Sequence, residues 1–155
     1  MNKSWIANGF TAANALFGGL SIMMSISGEY HVAAICILIA MAADAFDGRV
    51  ARALGTAGPM GVELDSLSDD ISFGVAAGAL MYSYQLRELG ALGFIPCALL
   101  GAFCAFRLAR FNVKVTSVHG YFEGLPCPTV GVIIACYVLS GVKIWNWLAM
   151  VCVLA

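Results

Sequence analysis

Apolar segments of about twenty residues follow one another along this chain, and no other feature limits its possible folds as strongly. Crossing ~30 Å of hydrocarbon takes about 20 helical residues, and a backbone in lipid must satisfy its own hydrogen bonds. The runs are apolar on every side, unlike a surface helix with a single apolar stripe. Hydrophobic residues make up 61% and charged residues 11% of the 155 positions, whereas a soluble domain is roughly half apolar and a quarter charged. The chain therefore reads as an all-α integral membrane protein. A net charge of −1 supplies no basic face for nucleic acid. The six cysteines form no CxxC pair and lie mostly in apolar runs, where they serve as small, membrane-compatible side chains.

The pattern predicts five spans and the start of a sixth. The first covers 6–27 and breaks at Gly28-Glu29-Tyr30-His31. It carries Thr11 and Asn14, and only Lys3 precedes it as a basic residue, so it does not read as a signal peptide. The second is apolar over 32–43 and continues as a polar helix over 44–54. Residues 55–59 read as a tight turn in which Pro59 stops a helix. The third opens polar at Gly61 and is apolar over 71–82, followed by a polar loop over 84–90. The fourth covers 91–111, a longer segment 112–128 carries His119 and Glu123, and the fifth covers 129–142. Residues 145–155 begin another apolar run too short to span, so the native chain is expected to continue. The whole of 1–155 reads as one transmembrane catalytic domain of about six helices, the last incomplete.

Lysine and arginine placement sets orientation. Lys3, Arg49, Arg52, Arg107, Arg110 and Lys114 fall on one side, and Arg87 and Lys143 on the other, which puts the 55–60 turn in the cytoplasm. Tyr82, Tyr84, Trp145 and Trp147 suit the opposite interface.

Six of the nine acidic residues (Asp44, Asp47, Glu63, Asp65, Asp69 and Asp70) fall between 44 and 70. A carboxylate in a membrane costs a few kcal/mol and needs a partner or a function. Asp44, Asp47, Gly48, Ala51 and Arg52 share one helical face, and so do Gly61, Asp65 and Asp69. A short turn makes the two helices antiparallel neighbours, so four carboxylates can converge. Carboxylates that close repel unless a cation intervenes. An all-oxygen set suits Mg²⁺, Mn²⁺ or Ca²⁺, and two such ions can clamp a displacement at phosphorus. Gly48, Ala51 and Gly61 leave room for a bulky group, and Arg52 can meet phosphate oxygens. Asp70 points away from Asp69, and it and Glu63 read as structural.

Written out, Asp44-Ala-Phe-Asp47-Gly48-Arg-Val-Ala51-Arg52, then eight residues, then Gly61-Val-Glu-Leu-Asp65-Ser-Leu-Ser-Asp69, resembles the complete signature of the CDP-alcohol phosphotransferases. Phe10-Thr11-Ala-Ala-Asn14, Asp69-Asp-Ile-Ser-Phe-Gly74, Arg107-Leu-Ala-Arg110-Phe-Asn112 and Phe122-Glu-Gly124-Leu125-Pro126 extend the likeness toward bacterial and archaeal phosphatidylserine synthases. The resemblance implies a bundle of about six transmembrane helices. It implies transfer of a phosphatidyl group from CDP-diacylglycerol to L-serine, giving phosphatidylserine and CMP. Asp44 and Asp65 would bridge two Mg²⁺ or Mn²⁺ ions, with Asp47 completing one site and Asp69 the other, and Asp69 would also take the serine proton. Asn14, Gly48, Ala51, Arg52 and Gly61 would line the CDP-lipid site. Members of the family often carry a hydroxyl residue where this chain has Gly58, so Thr56 or backbone N–H groups would replace that contact. A homodimer is compatible with the family.

Arg107 and Arg110 stand three apart near the end of the fourth span, as a clamp for the serine carboxylate or a lipid phosphate. Phe122 to Pro126 reads equally as a loop over the acceptor or as a helix entry. Other acceptors, glycerol phosphate or inositol phosphate, would need a more basic pocket, and an archaeal lipid donor is equally compatible with these residues. A membrane prenyltransferase places its aspartates on well-separated helices. A divalent-cation transporter would place carboxylates at the bilayer midplane, often at broken helices.

Overall fold

A computed structural model of the chain describes residues 4–54, 58–115, 126–146, 148, 149 and 153, with the side chains of 4–7, 51–54, 59, 114 and 115 outside the description. Six helices organise it: α1 (Ser4–Ile26), α2 (Tyr30–Leu54), α3 (Pro59–Asp69), α4 (Ala76–Tyr84), α5 (Ala91–Val115) and α6 (Cys127–Leu139). A wide π turn, Asp70–Val75, joins α3 to α4, and Asp69, Asp70 and Ala76 all keep right-handed helical dihedrals. The stretch 59–84 is thus one continuous helix, polar in its first half and apolar in its second. No strand occurs among the described residues.

Three stretches, Asn8–Ile26, Tyr30–Val50 and Ala91–Val113, are long and apolar enough to cross a membrane. Side-chain placement agrees with a lipid surround. Thr11, Asn14, Gly18, Ser21 and Ser25 line the buried face of α1, while Leu16, Met23 and Ile26 are 60–72% exposed. Water would disfavour that arrangement. In lipid, polar groups turn inward to partners and large apolar side chains meet the acyl chains.

The 59–84 helix stands at the centre, packed on α1, α5 and α6. Lipid gives helices no hydrophobic drive to associate, so close approach depends on small residues. A Cβ on Gly131 of α6 would fall 2.8 Å from Phe73 Cδ1, and one on Gly78 of α4 would fall 2.5 Å from the Cys97 carbonyl of α5. Ala33, Ile37 and Ala40 of α2, Phe73, Leu80, and Ile134 and Val138 of α6 form the apolar core beyond the polar end. The α1–α2 hairpin closes at Gly28, whose φ of +84° suits glycine. Beyond it Glu29 N–H returns to the Met24 carbonyl at 2.9 Å.

The structure departs from the sequence expectations at four places. Pro59 starts a helix instead of stopping one: it sits at the first helical position after an extended Gly58, where its missing N–H has no intrahelical partner to lose. Helix α5 runs on to Val115, so Asn112 is helical. Helix α6 begins at Cys127 after Pro126 and ends at Leu139. The expected polar loop over 84–90 contains a 3₁₀ turn, Leu86–Leu89, and buries both Gln85 and Leu86. Gln85 is fully used there. Its Nε2 donates to the Ile144 carbonyl at 2.5 Å and to Asn146 Oδ1 at 3.1 Å, and its Oε1 accepts from the Tyr137 hydroxyl. Tyr84 lies edge-on between Tyr30 and Tyr137, under the Lys143 ammonium. Trp145 is exposed, and Trp147 lies outside the described residues.

Candidate active site

The α2 and α3 carboxylates do converge. Asp44 and Asp47 from α2 and Asp65 from α3 each offer an oxygen, and these three atoms lie within 4.8 Å of one another. Asp44 also lies within hydrogen-bonding reach of both Asp65 and Asp69. Asp47 is 5% and Asp69 8% exposed, while Asp44 and Asp65 are half-buried. The helical register explains the convergence: Asp44 and Asp47 stand three apart on α2, and Asp65 and Asp69 stand four apart on α3. The antiparallel arrangement turns the two faces together.

First-helix side chains complete the centre. The Asn14 Nδ2 donates to Asp69 Oδ1 at 3.1 Å, and Asn14 is fully buried. That contact stands where the resemblance implies a nucleotide contact. The Thr11 hydroxyl bonds the Asp47 carboxylate. Thr11 was legible as a polar residue in an apolar span, and its three-residue spacing to Asn14 was the available signal.

The donor set fits a divalent cation. Asp47 Oδ2 and Asp65 Oδ1 are buried without a hydrogen-bond partner. Such atoms are costly unless something positive meets them. Three hard oxygens around one point suit a cation that prefers carboxylate ligands.

The other expected site residues fall out as follows. Gly48 is half-buried beside Asp47. A Cβ on Gly61 would meet nothing within 4 Å, so space is open on that face. The backbone of Ala51 and Arg52 belongs to α2, but their side chains, and all of Thr56, lie outside the described residues. Arg107 is half-buried and its Nη1 donates to Cys127 Sγ at 3.5 Å, across to the start of α6. Arg110 is exposed. Asn112 Nδ2 donates to Ser66 Oγ at 3.0 Å and ties α5 to α3 beside Asp65, a link not anticipated because Asn112 read as loop. Asp70 is half-buried against Cys104 of α5, and Glu63 is exposed. Residues 121–125 lie outside the described residues.

Membrane-length helices around an aspartate cluster that could hold a metal ion define an all-helical membrane protein class. The chain belongs to the CDP-alcohol phosphatidyltransferase family, whose model matches residues 4–155. It is 38% identical over 133 residues to a Helicobacter pylori CDP-diacylglycerol–serine O-phosphatidyltransferase, covering 85% of this chain and 56% of that protein. It is 40% identical over 130 residues to an archaetidylserine synthase of Methanothermobacter thermautotrophicus, covering 83% and 55% respectively. A Bacillus subtilis CDP-diacylglycerol–serine O-phosphatidyltransferase is 38% identical over 122 residues, covering 78% and 68%. The chain thus spans little more than half the length of the first two relatives.

Proposed function

We propose that this chain transfers a phosphatidyl group from CDP-diacylglycerol to the hydroxyl of L-serine, releasing CMP. The observation that carries the reading is the meeting of Asp44, Asp47 and Asp65 oxygens within 4.8 Å on two neighbouring helices. Asp44 and Asp65, joined by Asp47 and Asp69, would hold two Mg²⁺ or Mn²⁺ ions. Bound there, the metal supplies positive charge for the diphosphate and for departing CMP. Asp69 accepts the proton of the serine hydroxyl. The serine oxygen forms a bond to the lipid-side phosphorus, the bond from that phosphorus to the CMP oxygen breaks, and CMP leaves with the electron pair.

Gly48, Ala51, Arg52, Thr56 and Gly61 surround the nucleotide, with Arg52 on its phosphates. Arg107 and Arg110 receive the serine carboxylate. The site would face the cytoplasm, a reading that the basic residues near the aspartate end support. Relatives named for two different lipid products both carry serine in their names, which supports the acceptor more firmly than the lipid tail.

The test is CMP release from CDP-diacylglycerol by the purified chain, with serine, inositol phosphate or glycerol phosphate offered separately. Serine alone should support turnover, and only with Mn²⁺ or Mg²⁺. Turnover with a phosphorylated acceptor would reassign the substrate. Metal flux into liposomes without CMP release would favour a transporter.

A further inference from the structure

Serine in a lipid-embedded helix ordinarily turns its hydroxyl back onto the carbonyl one turn earlier. Ser25, Ser27, Ser66 and Ser68 all do so, at 2.8–3.0 Å. Ser72, in the π turn just beyond Asp69, does not. Its Oγ crosses to α1 and donates to the backbone carbonyl of Asn14 at 2.9 Å. The side chain of that same Asn14 donates to Asp69 Oδ1. Ser72 and Asn14 are both fully buried, so neither bond competes with water.

We infer that Ser72 is a positioning residue for Asp69, acting through Asn14. The inference rests on the proposed role of Asp69 as the group that takes the acceptor proton. Ser72 holds α1 at the height where the Asn14 amide reaches Asp69. An amide N–H can only donate, so it commits one carboxylate oxygen as an acceptor and fixes the orientation in which the carboxylate meets the serine proton. Misplacement of such a group by a fraction of an ångström slows the chemical step without loosening substrate binding.

The test uses the purified full chain in lipid nanodiscs, reading kcat, both KM values, Mn²⁺ affinity and the unfolding temperature. Ser72→Ala should lower kcat about tenfold, with KM values and Mn²⁺ affinity within about twofold. Asn14→Asp keeps the size of the side chain but replaces the donor with an acceptor, and should lower kcat about a hundredfold or more. Adding Ser72→Ala to Asn14→Ala should cost nothing beyond Asn14→Ala alone, because both act on one group. Ser21→Ala removes a fully buried hydroxyl of α1 that is not bonded to Asn14 and should leave kcat unchanged. Wild-type kcat in Ser72→Ala or in Asn14→Asp would overturn the inference. So would losses that multiply in the double variant and follow the unfolding temperature, as packing defects do. Asp69→Asn separates the two levels. If it is inactive while Ser72→Ala is normal, only the positioning link fails; if it turns over normally, the base assignment fails and the link with it.

Discussion

Gly18 of α1 lies directly against Ser72 of the central helix: a Cβ built on Gly18 would fall 2.9 Å from the Ser72 Cα. The neighbouring Gly19 has nothing within 4 Å of the same position. Two adjacent glycines therefore differ completely in what they allow. Gly18→Val should destabilise the protein by about 1–3 kcal/mol through overpacking, and it should reduce turnover by pushing α1 away from Asp69. Gly19→Ala should do neither. Thermal unfolding of both variants in detergent, followed by CMP release, checks the pair.

The same contact shows which parts of the molecule could be read from residues alone. Apolar runs located α1, α2 and α5, because a single segment of that length satisfies its own backbone in lipid only as a helix. Fixed spacings placed Asp44, Asp47, Asp65 and Asp69 on converging faces, since helical periodicity is insensitive to tertiary detail. Boundaries were less legible. Pro59 suits a helix start as well as a helix stop, and the difference lay in the extended backbone of Gly58. The polar stretch around Asn112 resembled a loop, yet its bond to Ser66 keeps it helical against α3. The π turn left no trace, because Asp70-Ile-Ser-Phe-Gly-Val is equally compatible with an ordinary turn. The bonds from Asn14 to Asp69 and from Ser72 to Asn14 were hidden for a different reason: their partners lie more than fifty residues away.

Gln85 anchors the end of the bundle opposite the carboxylates, holding the Ile144 carbonyl, Asn146 and Tyr137 together. Gln85→Ala would remove the donor to the half-buried Ile144 carbonyl and the acceptor of the Tyr137 hydroxyl, at a cost of about 1–3 kcal/mol. The unfolding temperature should drop, while the apparent Mn²⁺ affinity measured by titration of activity stays unchanged. An altered metal requirement would mean that this end communicates with the site.

Arg107 is half-buried beside the site and Arg110 is exposed, so they should differ in effect. Arg107→Ala should raise the KM for serine about tenfold or more with little change in the KM for CDP-diacylglycerol. Arg110→Ala should have a smaller effect on serine. Initial rates over a serine series at saturating CDP-lipid distinguish them. Equal effects on both substrates would place Arg107 on the lipid instead.

Chelation should silence the protein reversibly. Removing divalent metal should stop CMP release, and Mn²⁺ or Mg²⁺ should restore it. Asp47→Asn should raise the metal concentration for half-maximal activity about tenfold or more, because it removes a charged ligand from the shared point.

Counting bound ions tests the central claim most directly. Mn²⁺ binding to the purified chain in nanodiscs, measured by electron paramagnetic resonance with CDP-diacylglycerol present, should give two ions per chain. Asp44→Asn on α2 and Asp65→Asn on α3 should each abolish tight binding, since one centre draws on both helices. Undiminished binding in either variant would contradict a shared site between α2 and α3.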